Sequence, residues 1–219
     1  MNKLKKYPAV LIALLLAEAF IISPLAKADE PSPPVVRNHR MDFSYAEIRA
    51  GECSTTDPNV GVVSSLTPRD SLLYNLFCNP VVAPDGHQLT LAEFQAAQVR
   101  SALKCTGAGT HSILHFRGLV PNATYTVWLF VHNSVTETAV GALGTTMPIE
   151  NSFTTCGTGE GQLSVITPAE NLSVAGAVDS CFLDSPFELH LVYHIDNASH
   201  GPVPGPDGTW ITVGTLLFP

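Results

Sequence analysis

Hydrophobic and polar positions alternate most regularly over residues 187–195. Phe187, Leu189, Leu191, Tyr193 and Ile195 fall on one side of a pleated strand, and Glu188, His190, Val192 and His194 on the other. The same period of two runs through 111–117, where Ser112, Leu114 and Phe116 oppose His111, Ile113, His115 and Arg117. Residues 124–132 are apolar on both faces, with Tyr125, Val127, Trp128, Leu129, Phe130 and Val131, which predicts a central strand. Strands at 152–155 and 162–167 are expected to form a hairpin around Gly157-Thr158-Gly159-Glu160-Gly161, and 210–218 closes the set. Upstream, Met41, Phe43 and Tyr45 alternate with Asp42 and Ser44, and 60–66 fits a further strand. The connection 133–150 is long; its small apolar run, Ala139 to Gly144, reads as a packed loop, with a partner-binding tip as the alternative.

Two segments carry helix signals. Thr67, Pro68 and Asp70 suit the cap, first position and first turn of a short helix with Leu72, Leu73, Leu76 and Phe77 on its apolar face. Thr90 and Glu93 form a capping box ahead of a second helix expected over 91–104. On it Ala92, Ala96, Val99 and Leu103 share one face, Glu93, Arg100 and Lys104 the other, and Gly107 and Gly109 end it.

The expected fold is mainly β: an antiparallel immunoglobulin-like β-sandwich with a small helical N-terminal elaboration. Residues 107–219 form the sandwich core, and 41–106 a strand and two helices packed on it. Residues 29–40, with Pro31, Pro33 and Pro34, read as an extended leader.

Residues 1–28 fit a cleavable signal peptide: Lys3, Lys5 and Lys6, an apolar core over 10–17, then Ala26-Lys27-Ala28. Glu18 in mid-stretch and Pro24 argue against an uncleaved membrane span. The segment holds four lysines and one glutamate. Cleavage after Ala28 takes 11 basic and 19 acidic residues to 7 and 18, a net of −11. Such a charge opposes binding to nucleic acid or anionic lipid. The expected location is secreted or periplasmic, with no membrane span after cleavage.

All five cysteines follow the cleavage point, and none forms a Cys-x-x-Cys pair. In an oxidising compartment five cysteines allow two bridges and one thiol. Proximity in sequence favours Cys53 with Cys78 and Cys156 with Cys181, and Cys105 remains an alternative partner.

From residue 83 onward the chain resembles a group of exported bacterial β-sandwich proteins without a known activity. The likeness rests on Ala83-Pro84-Asp85-Gly86-His87, Gly109-Thr110-His111, Gly118-Leu119-Val120-Pro121-Asn122 with Tyr125-Thr126-Val127-Trp128, and Tyr193-His194-Ile195-Asp196 with Gly205-Pro206-Asp207-Gly208-Thr209-Trp210. The pattern Gly-Leu-x-Pro-x-x-x-Tyr is also similar to one in exported immunoglobulin-like and superoxide-dismutase-like sandwiches. The resemblance implies a fold and an export route and carries no activity. The close His-x-His ligand pair of copper–zinc superoxide dismutases is absent.

Histidines are the most informative polar residues. His111 and His115 share a strand face, as do His190 and His194, and in each case the opposite face is apolar. If the two strands were neighbours, these four could offer a zinc or copper site, with His87, His132 and His200 adding from an end. Residues four apart on a strand stand about 13 Å apart, so a site would take one histidine from each strand. No Gly-x-Ser-x-Gly elbow is present, residues 157–161 lack the lysine and helix of a phosphate loop, and Glu188 and Asp196 read as solvated acids. The leading expectation is a non-enzymatic exported binding or structural module; the alternative is a metal-binding protein or metal-dependent enzyme using the histidine face.

Overall fold

The computed structural model describes residues 34–41, 48–51, 53, 63–132, 138–145, 150–168 and 181–218. The signal peptide expected at 1–28 and the strand expected at 41–45, apart from Met41, lie outside them. No helix among the described residues is long and apolar enough to cross a membrane.

The chain is mainly β, and its sheets are antiparallel. The first sheet runs β1 (Val35–Arg40), β4 (Gln98–Thr106), β5 (Gly109–Arg117), β9 (Gly161–Thr167). The second runs β11 (Trp210–Phe218), β10 (Phe187–His194), β6 (Thr124–His132), β7 (Thr138–Ala142), with β8 (Ser152–Thr154) also paired to β6. A small ribbon pairs β2 (Ile48–Ala50) with β3 (Leu73–Asn75). The inward residues of both sheets share one core. Val99, Leu103, Leu114, Phe116, Leu163 and Val165 come from the first sheet, and Tyr125, Val127, Leu129, Leu189, Leu191, Tyr193 and Val213 from the second. Phe153 spans the layers, stacking on Phe116 at 4.8 Å and on Tyr125 at 5.6 Å.

Neither expected helix forms as such: the first, from Thr67 to Phe77, gives way to turns around the short strand β3, and the second largely to strand. The Thr90 capping box forms, yet α1 covers only Leu91–Phe94. From Gln98 the chain is β4, the partner of both β1 and β5. Residues four apart share a face in a helix and in a strand alike, so Val99/Leu103 and Arg100/Lys104 could not separate the two. The deciding residues are Ala97 and Ser101, both buried on the Val99 side, as only a period of two allows. The apolar set at 72–77 is not one buried face either: Leu73 on β3 is fully buried, whereas Leu72 beside it and Leu76 and Phe77 in the turn after β3 are exposed.

Four further expectations are revised. Residues 35–40 of the leader are a paired strand, and the boundary expected at 106/107 falls inside the β4–β5 hairpin. Residues 138–142 of the long connection are strand β7. Residues 152–155 and 162–167 do not form a hairpin: β8 pairs with β6 and β9 with β5, so the glycine-rich turn carries the chain between layers.

Two disulfides are present, Cys53–Cys78 and Cys105–Cys181, and Cys156 is a free, exposed thiol. Cys181 therefore pairs with Cys105 and not with Cys156. The reason is β9. Cys156 precedes its Gly161 end, whereas Cys105 lies opposite Thr110, which pairs with Thr167 at the other end. A seven-residue strand spans roughly 23 Å, so closeness in sequence to Cys181 did not mean closeness in space. Disulfides of this kind form and persist in oxidising, extracytoplasmic compartments.

Candidate metal centre

The structure separates the four histidines singled out by alternation. His111 and His115 lie on β5 in the first sheet, His190 and His194 on β10 in the second. Each pair points away from the shared core, so the core stands between them and no common site exists. His111 contacts the Ser164 hydroxyl at 3.3 Å, and His115 is exposed. His190 stacks on Phe130 at 4.0 Å and meets Glu188 at 2.9 Å, and the other Glu188 oxygen meets His132 at 3.1 Å. His87 is held by Asp85 and Glu93 on the surface beside α1, and those two carboxylates raise its pKa.

His194 differs from the rest. It sits on the outward side of β10, yet it has no exposed surface. The outer face here is covered: Trp128, Ala142 and Val192 form a second buried cluster with Phe130 and Trp210 packed against it. His194 pairs across the strands with Trp210, and its Nε2 lies 2.9 Å from the Thr126 hydroxyl. That hydroxyl also accepts the Trp128 indole N–H at 3.0 Å. The other ring nitrogen, Nδ1, is buried without a hydrogen-bond partner. Desolvation pushes the imidazole pKa down to about 4, partly opposed by the charge of Asp196. An unpartnered buried nitrogen is costly to leave unmade and calls for an explanation.

The chain just past β10 brings two further polar side chains near the ring. One nitrogen each of His194 and His200 and one carboxylate oxygen of Asp196 all lie within 4.8 Å of one another. His200 Nε2 meets Asp196 Oδ2 at 2.8 Å, and the two imidazole rings are 5.8 Å apart. Local hydrogen bonds hold this turn. Ile195 donates to Thr209, Asn197 donates to His194, and the Asn197 side chain accepts from the Thr124 backbone on β6. Gly205 closes it from the other side. Its φ is +118°, and a Cβ there would stand 2.4 Å from the His200 ring. The Trp210 indole donates to the Gly205 carbonyl, tying the loop to β11.

Two imidazoles and a carboxylate are ligands suited to zinc, copper and related divalent metals. Donor atoms around zinc, at roughly 2.0–2.2 Å from the ion, stand about 3.3 Å apart, so the three groups need to close by ~1.5 Å at most. Coordination through Nδ1 requires the proton of His194 on Nε2, donated to Thr126, whose oxygen has lone pairs for both His194 and Trp128. His200 was foreseen only as an accessory to a four-histidine site, and Asp196 only as a solvated acid. The local signal was the His194-x-Asp196-x-x-x-His200 spacing where β10 ends and a Pro/Gly loop begins.

Fold and site together define a two-layered antiparallel β protein with a His/Asp/His cluster beside one outer face. No protein-family model matches the chain, and no curated protein and no solved structure is similar to it.

Proposed function

We propose that this chain is an exported, immunoglobulin-like β-sandwich module that binds a divalent transition-metal ion, zinc or copper, at His194, Asp196 and His200, without catalysing a reaction. The reading rests on the fully buried His194 imidazole, whose Nδ1 has no hydrogen-bond partner and one of whose ring nitrogens lies within 4.8 Å of donor atoms of Asp196 and His200. The immunoglobulin-like assignment is supported by connectivity. β5 and β9 are neighbours in one sheet, β6 and β10 in the other, and β11 flanks β10, the exchange of strands between layers expected of a Greek key. Export is supported by the tripartite N-terminal segment and by the two disulfides.

The test is metal content and affinity of the purified protein by elemental analysis and calorimetry. The expected result is one zinc or copper per chain, lost in a His194→Ala/His200→Ala variant and kept in a His111→Ala/His190→Ala variant. A parent protein that binds neither metal, or a His194→Ala/His200→Ala protein that binds as the parent does, overturns the reading.

A further inference from the structure

The outward side of the first sheet is basic in an otherwise acidic protein. Arg100 and Lys104 on β4 and His111, His115 and Arg117 on β5 all occupy outward positions, and β4, β5 and β9 contain no aspartate or glutamate. The whole chain carries a net charge of −8, so this concentration is local. Arg100 lies directly opposite His115, and Arg117 opposite Gln98, which makes the two arginines diagonal neighbours on one face. Such positions stand about 7 Å apart. Among the described residues, neither Arg100 nor Arg117 takes part in an ion pair.

Beside the arginine pair the surface is concave. A depression of about 660 Å³ is lined by Arg100, His115, Arg117, Thr154, Cys156 and Gln162. Glu160 also borders it, one carboxylate against two guanidiniums. Each guanidinium offers a planar fork of donors. A carboxylate, with two oxygens, is satisfied by one fork, whereas a phosphoryl group has three terminal oxygens and can take both. Thr154, Gln162 and His115 add further hydrogen-bonding groups around the same space.

We propose that this depression binds a phosphoryl group, with Arg100 and Arg117 as paired anchors and His115 between them. The inference goes beyond the metal reading and shares no residue with it. The phosphoryl group has two possible sources, a soluble phosphate compound or a phosphorylated headgroup at a membrane surface, and the recognition chemistry is the same for both.

Cys156 on the wall of the depression is a built-in reporter. It is exposed, and the Thr158 hydroxyl and backbone amides lower its thiol pKa. The experiment has two readouts on the full-length exported protein. The first is binding of inorganic pyrophosphate, followed by amide NMR shifts, and of vesicles containing phosphatidic acid, followed by cosedimentation. The second is the ratio of Cys156 alkylation rates by anionic iodoacetate and neutral iodoacetamide. In the parent, pyrophosphate shifts the amides of residues 115 and 162, and the alkylation ratio exceeds that of a small-molecule thiol. In Arg100→Gln/Arg117→Gln, whose side chains are solvent-exposed, affinity falls at least ~10-fold, as loss of charge-assisted hydrogen bonds requires, and the alkylation ratio drops. Lys104→Gln, farther along β4, changes both far less. Pyrophosphate binding supports the proposal with a soluble source, and vesicle binding alone supports it with a headgroup source. Binding of neither probe, or equal effects of Lys104→Gln and the double arginine substitution, overturns it.

Discussion

The outer faces of the two sheets carry the same motif and put it to different use. On β5 and on β10 two histidines four residues apart point away from the core. On β5 the face is open: His115 is exposed, and its cross-strand neighbour Arg100 is too. On β10 the face is roofed by Trp128, Val192 and Trp210 and by the turn beyond the strand, so His194 loses all contact with water. Alternation decides which way a side chain points. What lies on top of it decides whether its imidazole is a solvated group or a buried one with a depressed pKa.

The largest expected effect tests what holds the two layers in place. Cys105–Cys181 ties the end of β4 to the chain entering β10 across a sequence separation of 76. A loop that long corresponds to ~4 kcal/mol of stabilisation in the chain-entropy account. Denaturant unfolding of Cys105→Ala/Cys181→Ala is expected to show a loss of that order, with Cys156→Ser within ~0.5 kcal/mol of the parent. Equal stability of all three proteins would remove the disulfide as the clamp.

Next in size is the pH response of the roofed face. The His194 imidazole has a pKa of about 4 in the folded protein, against about 6.5 in an unfolded chain. A depressed pKa means that the folded state resists the proton. The contribution is therefore complete above about pH 6.5 and is lost as pH falls toward 4, by up to ~3 kcal/mol. Carboxylates add their own slope, so the measurement is a difference. Urea unfolding of chelator-treated protein at pH 7 and pH 4.5 is expected to show a steeper loss for the parent than for His194→Gln, with His111→Gln matching the parent. Parallel curves for the parent and His194→Gln would place the imidazole in water.

A smaller effect isolates the turn. Gly205→Ala adds a Cβ against the His200 ring at a positive φ, which is expected to cost about 1–3 kcal/mol. It should also weaken zinc binding while leaving the amide NMR shifts of β4 and β5 unchanged. Unaltered zinc affinity would show that His200 is not a ligand. Smallest of all, His111→Ala and His115→Ala on the open face are expected to stay within ~0.5 kcal/mol of the parent by thermal unfolding; a loss above ~1.5 kcal/mol would mean that this face is covered too.

Much of the strand content was legible because one apolar side per strand leaves a period of two. β5, β6, β10 and β11 fall where their patterns place them. The helix expected at 91–104 failed because its clearest pairs are four apart, a spacing on which both periods agree. The capping box set the start correctly and said nothing about the length. Cys156 was joined to Cys181 on sequence distance, which ignores the strand that runs between them. His194 was legible as a candidate, but its partners were sought on other strands, because the pleat spaces same-face residues too widely for one ion. A turn brings Asp196 and His200 back toward His194, and no periodicity describes a turn.

Sequence alone determined the direction of the side chains on β5 and β10, since a slip of one residue would bury the imidazoles of β5 or β10 and expose Leu114 or Leu191. It also determined the helix cap at Thr90, whose donors and acceptors lie within four residues. Tertiary structure alone decided that β5 and β10 belong to different sheets, that Cys105 reaches Cys181, and that a loop covers His194. Those outcomes depend on contacts between residues far apart in the chain. A local pattern carries the free energy of burying a face, but not the identity of the surface that buries it.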